Sequence, residues 1–180
     1  MKEKALALSD TLLRALSGKP FTHDEYPKRM VWHSRKKKTF DGLPPVSIHG
    51  FWLLREDVAD IFSRHNLGDM KLVEMELYDR DNATKFDDRA FMLVPGGGRK
   101  TIDTTVNASG LKKVNSSNPP RYFLPSPNDE LKDLRAMDLS EDGVACWVDP
   151  DVPYALFLNS VLANDLIAAK LNKPFYLIQI

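Results

Sequence analysis

The residues best able to do chemistry in this chain are one cysteine, four histidines, several clustered carboxylates and a glycine run followed by Lys100 and Thr101. Catalysis needs these types to converge, a nucleophile on its base or an acid on its partner base. Cys146 lies between Ala145 and Trp147 in an apolar run that reads as a strand, the setting of a buried core thiol. A single cysteine excludes an internal disulfide, and His23, His33, His49 and His65 share no metal-ligand spacing. His65 reads as the C-terminal residue of a helix, where it favours the dipole. Gly96, Gly97 and Gly98 before Arg99, Lys100 and Thr101 invite comparison with a phosphate-binding loop. That loop needs one glycine, four residues, then Gly-Lys-Ser/Thr opening a helix, so the run reads instead as a glycine-rich hairpin turn between two strands. The expectation is a protein without a catalytic set, a resident metal or a cofactor.

Charge is the other candidate for function. Glu74, Glu76, Asp79, Asp81, Asp87 and Asp88 stand against Arg80 and Lys85, and on a strand over residues 72–77 the alternation turns Glu74 and Glu76 to solvent. These six carboxylates are the candidate partner-binding residues, for a basic protein surface; ordinary solvation of an exposed strand is the competing reading. They lack the glycine and the terminal glutamate of a calcium loop. Between Lys19 and Lys38 there are seven basic residues, and the run 35–38 with Trp32 and His33 beside it could grip phosphates and stack on bases. A lone basic run also reads as a solvated turn. The formal net charge is zero, so the molecule as a whole attracts neither nucleic acid nor an anionic membrane.

The elements that must position these residues are legible in outline. Leu8, Leu12, Leu13 and Leu16 fall at helical spacing over residues 3–17, and Gly18 with Pro20 ends the pattern. The helix is amphipathic and either docks on the domain or serves as a binding arm. Residues 155–180 read as a strand, a cap at Asn159 or Ser160, a helix with apolar residues at Val161, Leu162, Leu166 and Ala169, then a strand from Phe175 to Ile180. Residues 52–67 laid over 156–171 match without a gap: Leu54 with Leu158, Val58 with Leu162, Ala59 with Ala163, Phe62 with Leu166, Leu67 with Leu171. Two copies of one strand-helix-strand unit would pack on a common sheet, and chance recurrence of a common motif would look the same. Residues 107–128, rich in Asn, Ser and Pro, read as an extended loop around a short strand at 121–124. A short helix is possible at 130–137 within a second acidic stretch.

At 180 residues, with ordinary charged and apolar fractions, the chain fits one domain with its own core. The expected fold is α+β: a single domain over 1–180, with an N-terminal helix and basic extension over 1–42. The body, 43–180, carries a mixed or antiparallel sheet. Asp10 and Arg14 interrupt what an export signal would need as its apolar core, and no window is long and apolar enough to span a bilayer. A cytoplasmic setting without membrane contact is expected.

The run 146–180, CWVDPDVPYALFLNSVLANDLIAAKLNKPFYLIQI, resembles the C-terminal segment of the Imm11 immunity proteins, also called DUF1629. There a tryptophan and Asp-Pro precede an apolar strand, a serine-capped helix and a closing strand. The matching positions are Trp147, Asp149, Pro150, Phe157, Ser160, Leu162 and Leu171, and Asn172 stands where that family has a glycine after the helix. Residues 51–77 resemble the family's earlier segment of the same grammar. These motifs are structural, and the resemblance brings no catalytic residues. It implies a non-catalytic immunity protein of a bacterial polymorphic-toxin system, which binds a cognate toxin and neutralises it by covering its active surface. The alternative from the residues alone is a nucleic-acid-binding accessory protein using the basic run near Arg35.

Overall fold

Five short apolar runs build the main sheet, in the order β1-β4-β5-β3-β2. They are β1 (Arg29–Val31), β2 (Val46–Ile48), β3 (Trp52–Arg55), β4 (Lys71–Tyr78) and β5 (Ala90–Val94). The computed structural model describes residues 11, 14–15, 18–22, 25–32, 42–48, 51–104, 111–114, 120–124, 142–175 and 177. β1 is parallel to β4 and the other pairings are antiparallel, so the fold is α+β with a mixed sheet. Because β3 and β4 both oppose β5, they run parallel to each other, and the chain must cross over between them. It does so through helix α1 (Glu56–Ser63), and β5 fills the gap.

Strand alternation gives the sheet two apolar faces, and both are covered. On one face Trp52, Leu54 and Leu93 pack under Val58, Ala59 and Phe62 of α1. On the other, Leu53, Met75, Leu77, Met92 and Val94 pack against Ala15, Tyr26, Trp32 and Leu43 from the N-terminal part of the chain. Of the helix expected over residues 3–17, Thr11, Arg14 and Ala15 are helical and the rest lies outside the described residues. Ala15 is fully buried there, and Arg14 is held by Glu25 at 2.7 Å.

The C-terminal part adds the hairpin β8 (Cys146–Asp149) and β9 (Val152–Leu158), helix α2 (Ser160–Ala168) and a single turn α3 (Asn172–Phe175). A smaller ladder pairs β6 (Lys112–Lys113) with β7 (Tyr122–Phe123). Leu162 and Leu166 of α2 enter the same core as Val58 and Phe62 of α1, so positions that match in the sequence overlay share one buried cluster.

The structure selects Asn159 from the two expected caps, where the resemblance implied a serine cap, and differs from the expectation in two further details. The cap of α2 is Asn159, whose extended backbone lets Oδ1 accept the Leu162 amide at 2.9 Å, and Ser160 is already helical. The left-handed residue after α2 is Lys170 (φ 60) and not Asn172. The Leu171 amide reaches Leu166 O at 2.8 Å and the Lys170 amide reaches Ile167 O at 2.9 Å, a Schellman closure that drives Leu171 into the core. The strand expected from Phe175 does not begin there. Phe175 ends α3 and stacks on Phe62 at 5.9 Å, because the closure turns the chain back over α1; residues 178–180 lie outside the described residues. The helix considered at 130–137 also lies outside them.

The glycine run is not a hairpin turn. Gly98 bridges Val148 in parallel and the Arg99 amide donates to Val148 O at 3.0 Å, so residues 95–102 carry the chain from the main sheet to β8. None of the three glycines has a positive φ. Glycine is required by close approach: a Cβ on Gly96 would lie 1.5 Å from the Asp69 carbonyl oxygen.

Candidate functional site

Trp147, Asp149 and Pro150 sit on the β8–β9 hairpin, and their chemistry is turned inward. Asp149 is fully buried. Its Oδ1 accepts the Asp151 amide at 2.8 Å, an Asx turn that sets the bend at Pro150. Its Oδ2 accepts the amides of Thr101 at 2.7 Å and Ile102 at 2.9 Å. Trp147 Nε1 donates to Thr101 Oγ1 at 2.9 Å, and the indole stacks on Phe157 at 5.9 Å. A buried carboxylate that accepts three amides is a fastening, since leaving those donors unpaired would cost more than the bonds gain. These residues hold residues 99–102 to the hairpin and leave no oxygen of Asp149 facing solvent. Phe157 and Leu162 are buried as well, and Ser160 is exposed at the start of α2.

The six candidate carboxylates lie along β4 and the segment after it, exposed except for the half-buried Asp79, and largely engaged within the chain. Glu74 takes Arg89 in a fork at 2.9 and 2.8 Å, and Arg89 also pairs with Glu56 and lies 5.1 Å over the Phe91 ring. Glu76 pairs with Lys85 at 3.0 Å. Asp81 accepts the amides of Ala83 at 2.9 Å and Thr84 at 2.8 Å together with the Thr84 hydroxyl at 2.6 Å. Asp79 receives the Arg80 amide at 2.6 Å and Asp88 the Leu43 amide at 2.7 Å, while Asp87 is exposed. Accordingly the carboxyls of Glu74, Glu76 and Asp81 are held below their usual range, first by hydrogen bonds from Arg89, Lys85 and Thr84 respectively. Glu74 and Glu76 share their side of β4 with Leu72, which packs into the helix core, so they mark where the strand outruns the helix layer. The surface is a mixed ion-pair network more than an acidic field.

The sequence reading missed an aromatic pair. Tyr154 has φ 73 inside β9, where the ladder steps from Trp147↔Phe157 to Asp149↔Val152 and leaves a bulge. Its ring lies 5.3 Å from that of Phe123 on β7, and the two are 48% and 39% exposed. The signal available in the sequence is Pro153, which removes a ladder donor at the point where the strand bulges.

The remaining candidates carry less. Cys146 is buried and its thiol is pushed up to about 12 by desolvation. His65 Nε2 lies 2.9 Å from Asp165 Oδ2, tying the end of α1 to α2; His23, His33 and His49 lie outside the described residues. So does the basic run 35–38; of its two expected stacking partners, His33 is among the residues just named and Trp32 is buried at 8% exposure. Among the described residues no group of three His, Cys, Asp or Glu could hold a metal, and no helix is long and apolar enough to cross a membrane. The recess beside Trp32, Leu43 and Leu77 offers about 10 Å³, room for one water at most. No family model, curated protein or solved structure matches this chain.

Proposed function

We propose that this chain is a non-catalytic binding protein of the Imm11 kind, which neutralises a cognate bacterial toxin by covering its active surface in the cytoplasm. The observation that carries the reading is where the two resembling segments lie. Residues 51–77 and 146–180 supply α1 and α2, which pack on one another and bury the matching positions Val58 and Leu162, Phe62 and Leu166 in one core. The resemblance therefore covers one continuous core. On this reading the chain is a single domain built on two related strand-helix units, and the N-terminal helix docks on the second face of the sheet beside Ala15. Motif residues such as Trp147 and Asp149 serve as frame, and the toxin is met by exposed side chains. The acidic stretch enters as a charged margin, where a basic partner competes with Arg89 and Lys85 for Glu74 and Glu76.

The burial of Trp32 counts against the nucleic-acid alternative as one of its two stacking residues, while His33 and the run 35–38 lie outside the described residues. The test is growth of a bacterial host expressing the protein encoded beside this chain, alone and together with it. Arrest by the neighbour alone, relieved by coexpression, supports neutralisation. A neighbour that arrests growth equally in both cases overturns it.

A further inference from the structure

We draw no further inference here: the strongest candidate, the exposed aromatic patch that Phe123 of β7 and Tyr154 of β9 form, carries none because nothing in the structure shows what covers it, its basic neighbours Lys112 and Arg121 having partners within the chain.

Discussion

Asp149 Oδ2 accepts the Thr101 amide at 2.7 Å, joining two points 48 residues apart, and both residues are buried. This contact makes the β8–β9 hairpin part of the main body, since the chain leaving β5 is caught by it within a few residues of the sheet.

Asp149→Ala leaves the amides of Thr101, Ile102 and Asp151 without their acceptor. A loss of about 3 kcal/mol or more is expected in urea unfolding. Trp147→Phe keeps an aromatic ring over Phe157 and forfeits one hydrogen bond, so about 1 kcal/mol is expected. Equal small losses for both would show that Asp149 is not the fastening.

The ends of α2 give a paired prediction. Asn159→Ala removes the cap and is expected to cost about 1 kcal/mol, with Ser160→Ala nearly neutral. Lys170→Gly relieves a left-handed residue and is expected to gain about 1 kcal/mol, whereas Asn172→Gly inside α3 gains nothing. Urea midpoints of the four variants decide it.

Gly96→Ala places a methyl into the Asp69 carbonyl. The backbone must move, with an expected loss of about 3 kcal/mol in the same assay. Gly97 has room by comparison, its nearest contact being an Asp69 carboxylate oxygen at 3.4 Å, so Gly97→Ala is expected to be mild.

Glu25 sets an acid limit on the N-terminal packing. Hydrogen bonds from Arg14 and then Thr22 lower its carboxyl from 4.5 to about 2. Because the folded value is depressed, its contribution is complete above 4.5 and is lost as pH falls toward about 2. Glu25→Gln is expected to flatten stability against pH across that window, measured by thermal melting in low salt. An unchanged slope would place the acid sensitivity elsewhere.

The sequence made the core legible where burial has a period. Val58, Phe62, Leu162 and Leu166 were readable from helical spacing, and Met75 and Leu77 from alternation in β4, whereas Val161 and Ala169, apolar residues of the same expected helix as Leu162, are exposed. The sites were less legible because they depend on long-range contacts. Nothing near Glu74 in the sequence announces Arg89 fifteen residues on, and that pairing turns an acidic run into a balanced surface. Gly96 looked like a turn because its real constraint, the Asp69 carbonyl, comes from another part of the chain. Tyr154 sat in a run too uniformly apolar to show which side chain faces out. Pro153 was the one local mark of the bulge.

The most direct test of the proposed neutralisation is to purify the protein encoded beside this chain, establish its toxic activity, and assay that activity while titrating this chain into it. The account predicts that toxin activity falls linearly and is abolished at one chain per toxin, with a stable complex in size-exclusion chromatography. Full toxin activity in excess of this chain, with the two proteins eluting separately, would contradict it.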